Sequence, residues 1–373
     1  MNCHVAAAEH ECCAPESVAR KTALYEDHMR SGAEMIDFNG WLLPLAFTGI
    51  VEEHFHCRSQ VSLFDCCHMG KFLIRGDESI AYIDRLVFSD VANLPVGRCR
   101  YSGLLTERGG IVDDVVVLRL AVDELLVVTN ASRLTEVARL LGNEVPVVVD
   151  LTDEIAKIDV QGPGSRHALQ RIGITSVVSL SYFACCRTEW RNTEIVVSRC
   201  GYTGELGFEL SVPRDLAPAM WNALLDISEV KPAGLGARDT LRLEMGYVLS
   251  GRDIDEQRTP LEARMDAFVA WDSEFRGSEV LRRQREKGTY SIRTGIHSFD
   301  RRAPRTDAEV RFRGVVVGVV TSGSYGPTVG TGIGMAYLPQ DLAVPGTPLT
   351  VGSRFIPAEV SALPFYQYGT CRK

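Results

Sequence analysis

The sequence predicts an α+β protein with a pseudo-duplicated core and a small C-terminal β-barrel. FLIRGDESIAYIDRL (72–86) and IDVQGPGSRHALQRI (158–172) share one pattern: a short strand, a turn centred on glycine and an amphipathic helix. The stretch from 315 to 365 has short apolar runs separated by Gly and Pro, with almost no helical periodicity. Two strand–turn–helix units and an all-β tail predict two α+β domains followed by a barrel, and not a solenoid, which needs more repeats. Chance similarity of two β–α units is the alternative.

Periodicity predicts the elements of the core one by one. DDVVVLRL (113–120) and LLVVTN (125–130) flank a four-residue link and predict a β-hairpin. FELSV (208–212) alternates apolar and polar residues, as a half-buried strand does. Residues 135–142 and 216–226 have the spacing of amphipathic helices.

The C-terminal part begins with a basic stretch, 276–306, which predicts a linker containing a helix. The runs 315–327, 332–338 and 347–365 follow and predict the strands of the barrel. The boundary is expected between about 272 and 310.

Composition is that of an ordinary globular protein of about two or three domains, with 373 residues and 45% hydrophobic side chains. No apolar run approaches the ~20 residues of a membrane helix, so we expect no membrane association. The net charge of −8 argues against nucleic-acid binding as the main function. The stretch from Arg276 to Arg313, however, contains eleven Lys and Arg residues but only five Asp and Glu residues. This stretch is either a solvated face or a docking surface for an acidic partner.

The eleven cysteines include no C-x-x-C pair, so neither a zinc site nor a thioredoxin-type motif is indicated. Without a secretory apolar segment, reduced thiols in an intracellular compartment are expected. The first twenty residues contain Glu9, Glu11 and Glu16 but only one basic residue, Arg20, which makes a poor mitochondrial presequence. Residues 1–20 are therefore expected to be an extension that is either disordered or a targeting segment.

Common catalytic signatures are missing: the sequence has no G-x-S-x-G, Walker loop or H-E-x-x-H. GTGIG (330–334) lacks the spacing of a dinucleotide-binding loop. His54 and His56 would point to different sides of a strand or helix, so we expect solvated histidines and no metal site.

Asp113 and Asp114 open an apolar strand as two adjacent carboxylates. Side chains alternate along a strand, so Asp114 shares a face with Val116 and Leu118 while Asp113 faces the other way. One carboxylate is expected to point inward, although a strand-end Asp that caps a turn is an equal alternative.

Two further places are candidates for ligand binding. In CGYTGELGFE (200–209), glycine turns surround Tyr202, and Glu209 could accept two hydrogen bonds from an amidine-like edge such as that of a pterin. A solvent-facing Glu is the alternative. In GLGARDTLRLEMG (234–246), Arg238 falls in the first turn of a helix, where the dipole disfavours a cation, so an anion is expected beside it.

Together these segments resemble the glycine cleavage T-protein family over more than nine-tenths of the chain, with order and spacing preserved. The matching stretches are KTALYEDH (21–28), MIDFNGW (35–41), GIVEEH (49–54), FDCCHMG (64–70), RYSGLLTERGGIVDD (100–114), VVTNAS (127–132), QGPGSR (161–166), CGYTGELGFEL (200–210), GLGARDTLRLEMGY (234–247), TPLE (259–262) and VTSGSYGPTVGTGIGMAY (320–337).

The resemblance implies a three-domain cloverleaf: a partly discontinuous folate-binding core at 21–272, and a linker helix with the barrel at 273–373. It implies Asp114 as the catalytic residue, with Asp113 the less favoured choice. Residues implied to bind the folate are Tyr101, Tyr202, Glu209, Arg238 and, from the FDCCHMG stretch, Met69.

The implied reaction is the transfer of a methylene carbon from the aminomethyl group on a lipoyl arm to tetrahydrofolate, with release of ammonia and formation of 5,10-methylenetetrahydrofolate. No metal is needed. The implied partners are the lipoylated H-protein, with glycine decarboxylase and lipoamide dehydrogenase as system components, and the implied compartment is the mitochondrial matrix or, alternatively, the bacterial cytoplasm.

The sequence departs from the family at three places. Leu118 stands where many relatives have Tyr, and Cys67 replaces the usual Ser of F-D-V-S-H-M-G. Residues 365–368 read FYQY in place of F-Y-K-R, so no C-terminal arginine contact is expected.

Three alternative functions use the same module. Folate-dependent oxidases of sarcosine and dimethylglycine carry it behind a flavin domain, which this sequence lacks. A sulfonium demethylase is a second alternative. A non-enzymatic iron–sulfur-assembly protein would have K-G-C-Y-x-G-Q-E where this chain has RCGYTGELGFE (199–209).

Overall fold

A computed structural model describes residues 19–373. Of the predicted extension, residues 1–18 lie outside the described residues, and Arg20 already begins the first strand. The described α-helices are α1 (Tyr25–Arg30), α2 (Ile50–Ser59), α3 (Asp77–Leu86), α4 (Leu134–Glu144), α5 (Ser165–Arg171), α6 (Ala217–Leu225), α7 (Leu235–Glu244) and α8 (Ser278–Lys287). None of them is long and apolar enough to cross a membrane.

The strands found in residues 19–373 are β1 (Arg20–Lys21), β2 (Glu34–Phe38), β3 (Trp41–Ala46), β4 (Val61–Asp65), β5 (Gly70–Arg75), β6 (Cys99–Leu105), β7 (Ile111–Ala121), β8 (Glu124–Thr129), β9 (Val148–Asp150), β10 (Ile155–Gln161), β11 (Cys185–Trp190), β12 (Thr193–Ser198), β13 (Gly207–Pro213), β14 (Val230–Pro232), β15 (Ser291–Ser298), β16 (Glu309–Phe312), β17 (Val315–Gly326), β18 (Thr331–Pro339), β19 (Pro348–Val351) and β20 (Ile356–Ser361).

The core consists of two sheets with the same chain path. The first has the order β6-β7-β8-β5-β9, and the second has the order β11-β12-β13-β10-β4-β14. In each, one strand and helix (β5–α3 or β10–α5) precede an antiparallel meander whose third strand returns to pair with the first. The predicted pseudo-duplication is therefore confirmed, and so is the α+β class.

The turn between strand and helix requires a residue with positive φ in both repeats. Gly76 and Gly162 adopt φ values of +89° and +127°, which L side chains rarely adopt. A Cβ on Gly162 would also lie 2.1 Å from the carbonyl oxygen of Gln60. The glycines that anchor the repeated pattern are thus required by backbone conformation.

The second sheet contains one strand from outside its repeat. β4 precedes the first repeat in sequence but lies between β10 and β14, antiparallel to the former and parallel to the latter. The second half of the core is therefore discontinuous in sequence.

Helices cover one face of each sheet. Ile80 and Ile83 of α3 pack with Val115 and Val117 of the first sheet, all of them buried. In the second sheet the corresponding core is centred on Trp221 of α6 and the apolar residues of β10 and β13. Full burial of such side chains contributes about 1.5–3 kcal/mol each.

The uncovered faces of the two sheets meet each other. Cys99, Leu118 and Leu126 of the first half pack with Cys185 of the second in one buried cluster. A β-bridge between Arg98 and Ala184 joins the halves at the same place. Side chains on these inner faces therefore lie near the interface of the two halves.

Sequence predictions for the core elements are confirmed. β7 and β8 form the predicted hairpin, in which Val117 pairs with Val127. The predicted strand lies within β13, and the two predicted helices are α4 and α6.

The C-terminal strands form a closed barrel in the order β15-β18-β17-β16-β19-β20, as predicted. The interpretation of 276–306 as a linker is wrong in part: α8 lies there, but Ser291–Ser298 is β15, which pairs with both β18 and β20. The arginine of β15, Arg293, can be buried because its guanidinium donates hydrogen bonds to the carbonyl oxygens of Ala263 and Gly246. The basic composition of this stretch thus predicts a linker where the structure has a barrel strand.

Candidate active site

Asp113 and Asp114 lie near the start of β7, and both accept a hydrogen bond from one amide. Asn130 follows β8 and donates its Nδ2 to Asp113 Oδ1 at 2.9 Å and to Asp114 Oδ1 at 2.8 Å. Strand alternation predicts that the two side chains face opposite ways. Asn130 nevertheless bridges them, because the end of β8 lies beside both.

The two carboxyl groups differ in their other contacts. Asp113 is fully buried and accepts hydrogen bonds from the Asn130 backbone N–H at 2.9 Å and from the Ser250 hydroxyl at 2.7 Å. Asp114 is half-buried and accepts from the Tyr101 hydroxyl at 2.8 Å. Asp113 is therefore enclosed in protein, whereas Asp114 is partly exposed.

Burial raises the pKa of both acids. The pKa of Asp113 rises to about 7, first because of burial and then because of the Asp114 charge. Burial raises the pKa of Asp114 to about 6, opposed by the hydrogen bonds from Tyr101 and Asn130. Both groups thus change their protonation close to neutral pH, a property common among catalytic acids and bases.

A second charged cluster lies on the facing half of the core. Glu209 of β13 is only 11% exposed, and its Oε2 lies 3.1 Å from Lys157 Nζ. Lys157 Nζ also donates to Asp159 Oδ1 at 2.6 Å, and Arg238 Nη1 donates to Asp159 Oδ2 at 2.8 Å. The anion expected beside Arg238 is therefore Asp159 of β10.

Tyr202 joins this cluster through its ring. The Arg238 guanidinium lies 4.9 Å from the ring centroid, and Tyr247 stacks at 5.9 Å. Its hydroxyl donates to the carbonyl oxygen of Val248. Because Ser250, two residues further on, bonds Asp113, the segment after α7 connects the two clusters.

Met69 lies where these halves meet. It is half-buried and packs against two buried clusters, one that contains Cys66 and Leu241 and one that contains Leu118 and Leu126. The structure thus brings Tyr101 to Asp114 and Tyr202 to Arg238, ties Glu209 to Arg238 through Lys157 and Asp159, and places Met69 at the interface of the halves.

Sequence reasoning assigned no role to Asn130, Ser250, Lys157 or Asp159. Asn130 occurs in the family-like stretch VVTNAS, which could have singled it out. Lys157 and Asp159 alternate with Ile158 and so resemble the exposed face of a strand. That face is nevertheless buried, and one of its contacts, Arg238 of α7, is distant in sequence.

The expectation that His54 is solvated is wrong. It lies on α2 and is fully buried; its Nδ1 is 2.8 Å from the Thr240 hydroxyl and its Nε2 is 2.8 Å from the Thr328 hydroxyl. Burial lowers its pKa, although Glu244 opposes this. Within residues 19–373 no group of three or more His, Cys, Asp or Glu side chains is placed to hold a metal ion.

The C-terminal segment, residues 366–373, braces the loop that carries Tyr202. Thr370 donates its hydroxyl to Glu205 at 2.6 Å, and the Cys371 N–H donates to the Gly204 carbonyl at 3.1 Å. The Arg58 guanidinium lies 4.1 Å from the Tyr366 ring and also pairs with Glu205. This region departs from the family's F-Y-K-R ending and contacts the loop mainly through backbone and hydroxyl groups.

Comparison with known proteins identifies the family. Residues 24–273 match the model of the GCVT N-terminal domain, and residues 294–367 match the glycine cleavage T-protein C-terminal barrel domain. The chain belongs to the glycine cleavage T-protein family. The resemblance stated from the sequence motifs is therefore confirmed.

Individual T-protein relatives match nearly the whole chain. An aminomethyltransferase from Halothermothrix orenii is 39% identical over 93% of this chain and 99% of its own. One from Thermotoga petrophila is 37% identical over 95% of this chain and 99% of its own. The glycine cleavage system aminomethyltransferase T from Bartonella henselae has a crystal structure that superposes with a TM-score of 0.89 at 32% identity, covering 94% of this chain and 99% of the other.

These matches make the chain an enzyme, an aminomethyltransferase of the glycine cleavage system. The iron–sulfur-assembly and demethylase alternatives are not favoured. The relatives named are bacterial, so they give no support to the mitochondrial expectation.

Proposed function

We propose that the enzyme transfers the methylene carbon of an S-aminomethyl dihydrolipoyl group to tetrahydrofolate, with release of ammonia and formation of 5,10-methylenetetrahydrofolate. The observation that carries this proposal is Asp114, a half-buried carboxyl held by Tyr101 and Asn130 at 2.8 Å each. A carboxylate fixed in a desolvated site stabilises positive charge that develops on a reacting nitrogen. Binding both reactants in one orientation supplies the rest of the acceleration.

The second cluster fits the pterin end of a reduced folate. Glu209 is bonded through Oε2 and, within residues 19–373, makes no hydrogen bond through Oε1, so the carboxylate can accept from an amino group and a ring N–H. Arg238 uses Nη1 on Asp159 and has further donors for the folate. The Tyr202 hydroxyl proton is already committed to Val248, so Tyr202 would contribute its ring face.

Tyr101 and Met69 complete the proposed binding set in different ways. Tyr101 would act through Asp114 by fixing the orientation of its carboxylate. Met69 has a flexible apolar side chain between the two halves, suited to contact with a flat ring.

The proposed partner is a lipoylated H-protein, with glycine decarboxylase and lipoamide dehydrogenase as system components. The basic stretch offers fewer free cations than its composition indicates. Six of its eleven basic residues are engaged: Arg276, Arg282, Arg283, Arg302 and Arg311 in ion pairs, and Arg293 by burial. Docking of an acidic partner would therefore rely on residues such as Arg301, Arg305 and Arg313, which are exposed and have no carboxylate partner in residues 19–373.

Domain boundaries and compartment stay proposals. The division into 21–272 and 273–373 is supported by the family-model matches, which end at 273 and resume at 294. Between the two compartments expected, the bacterial relatives favour the bacterial cytoplasm over the mitochondrial matrix.

Calorimetric titration with tetrahydrofolate in metal-free, reducing buffer tests the proposal, followed by an ammonia-release assay with aminomethylated H-protein. We expect stoichiometric binding, and ammonia release that requires both reactants. Absence of folate binding by the folded protein would falsify the proposal.

A further inference from the structure

Two buried lysines occupy equivalent positions in the two repeats. Lys71 of β5 and Lys157 of β10 each directly precede the repeated pattern that begins at Phe72 and Ile158. Lys71 is 0% exposed and Lys157 is 1% exposed. Lysine is almost never fully buried without a partner, so each one requires an explanation.

The partners of the two lysines differ. Lys71 Nζ donates to the carbonyl oxygen of Cys67 at 2.8 Å, and burial lowers its pKa to about 8. Burial acts on Lys157 in the same direction, but the carboxylates of Asp159 and Glu209 overcome it and raise the pKa of Lys157 above its usual value. Lys157 is thus a fixed cation between two acids, whereas Lys71 is bound by a neutral group.

Lys157 separates two acids that face each other directly. Asp159 and Glu209 are cross-strand partners in the β10–β13 ladder. Like charges at such positions repel, and without a cation between them one of the two acids would tend to take up a proton. Lys157 Nζ lies 2.6 Å from Asp159 Oδ1 and 3.1 Å from Glu209 Oε2, which removes this repulsion.

The contacts continue to Arg238 and form one chain of alternating charge. Asp159, fully buried, uses Oδ1 for Lys157 and Oδ2 for Arg238 at 2.8 Å. The positions of Glu209 and Arg238 are therefore linked through two side chains that are themselves enclosed.

We propose that Lys157 and Asp159 are positioning residues for the pterin end of the folate: Lys157 orients the Glu209 carboxylate and offsets the charge of Asp159 opposite it, and Asp159 orients the Arg238 guanidinium. The inference rests on the proposed function, because it assumes that Glu209 and Arg238 contact the folate. Neither Lys157 nor Asp159 is required to touch the substrate.

Lys157→Met tests the first half of the inference through pH. The groups facing Glu209 are Lys157 and Asp159 from β10, Arg238 from α7, and the thiols of Cys66 and Cys200. When Lys157 is removed, the charge of Asp159 remains opposite Glu209, so a proton should bind there more readily than in the unaltered enzyme. A protonated Glu209 loses acceptor capacity, and the KM for tetrahydrofolate should then rise as the pH falls.

We would measure kcat, the KM for tetrahydrofolate and Tm from pH 5.5 to 8.5. In the unaltered enzyme the KM should stay nearly constant, whereas in Lys157→Met it should rise as the pH falls, by up to about tenfold for each pH unit. Lys157→Arg keeps the cation and should restore a flat KM profile. Lys71→Met is the matched control: it removes the equivalent buried lysine, and it should affect Tm without making the KM depend on pH.

Asp159→Asn tests the second half and should give a different result. The amide leaves Lys157 free to pair with Glu209, but it removes the charge that orients Arg238. The KM should therefore rise by a similar factor at every pH. This variant also carries the test if Lys157→Met does not fold.

Two results would overturn the inference. One is a flat KM profile in folded Lys157→Met, or a change confined to Tm as in Lys71→Met. The other is an unaltered KM in folded Asp159→Asn. Failure of the unaltered enzyme to bind tetrahydrofolate would instead refute the proposed function, so the two failures are distinguishable.

Discussion

Asp113 and Asp114 are adjacent in sequence, and Asn130 bonds both, but their surroundings assign them different tasks. Asp113 has three hydrogen bonds from the protein and no exposure. Asp114 has a half-buried position and is oriented by Tyr101. We therefore expect the first to serve stability and the second to serve turnover.

Asp114→Asn should reduce turnover by ~10²-fold or more, the usual size of an electrostatic contribution. Folate affinity should change little, because the amide keeps the shape and one acceptor. A loss confined to the transition state lowers kcat and kcat/KM together. Single-turnover ammonia release and a folate titration measure the two quantities, and near-full turnover would show that Asp114 is structural.

Asp113→Asn is the matched variant and should mainly lower Tm. Its amide nitrogen would face a donor, either the Asn130 N–H or the Asn130 side chain, because the carboxyl accepts on both oxygens. Leaving a buried donor unpaired destabilises by about 1–3 kcal/mol. If Asp113→Asn rather than Asp114→Asn abolishes turnover in a folded protein, the assignment of the two acids is reversed.

The raised pKa values predict opposite effects of pH on activity and stability. Between about pH 4 and 7 the folded protein binds more protons at these two carboxyls than the unfolded chain does, so their contribution to the free energy of unfolding falls as the pH rises. Turnover should rise over the same range, because the role proposed for Asp114 requires its ionised carboxylate. The kcat profile should show an acid limb near pH 6 that is absent in Asp114→Asn; the same limb in the variant would contradict this.

Glu209→Gln should weaken folate binding by roughly 10- to 150-fold, since charge-assisted hydrogen bonds contribute about 1.5–3 kcal/mol. The amide places a donor where the pterin edge also donates. Binding is measured by calorimetry, with Tm as the control for folding. Unchanged affinity would mean that Glu209 forms the ion pair with Lys157 but does not bind the folate.

At the scale of elements, sequence predicts structure best where the pattern is local. The β7–β8 hairpin and helices α4 and α6 follow from the periodicity of adjacent residues. β15 was missed because the partner that makes Arg293 acceptable inside the protein is a set of carbonyl oxygens from residues 246 and 263. Such partners are distant in sequence and leave no local pattern.

The same limit applies to the site. Resemblance to a family pointed to Asp114 and Glu209, whose roles stay predictions. It did not point to Lys157 or Asp159, because a charged strand face is exposed in most sheets and is buried here only by the opposing elements. His54 was misjudged for the same reason, since Thr328 of the barrel region covers it.

Deletion of residues 367–373 tests the role of the C-terminal segment. The loop that carries Tyr202 would lose the contacts of Thr370 with Glu205 and of Cys371 with Gly204. We expect a higher KM for folate and a modest fall in Tm. Thr370→Ser keeps the hydroxyl and should behave like the unaltered enzyme; an unchanged KM after deletion would show that the loop holds its conformation alone.

At the scale of the whole molecule, association with an acidic lipoyl partner should depend on salt. Arg301→Glu should slow association and flatten its salt response, because exposed charges act mainly on the association rate. Arg283→Glu, the same charge change at a residue already paired with Glu279, is the control and should have a smaller effect. The association rate of each variant with the partner is measured by stopped flow at several salt concentrations. Equal rates and equal salt responses of the two variants would argue against docking at the barrel.

The position of β4 has a consequence for the order in which the chain can fold during its synthesis. β4 leaves the ribosome early, but its neighbours β10 and β14 are made much later. At ordinary rates of translation the delay before β10 appears is on the order of ten seconds. Strands β5 to β8 of the first sheet can pair with one another during that time, while Val61, Leu63 and Phe64, buried in the finished protein, have no sheet to join. The nascent chain should therefore expose this apolar strand until the second repeat emerges, which makes it the natural place for a chaperone to bind.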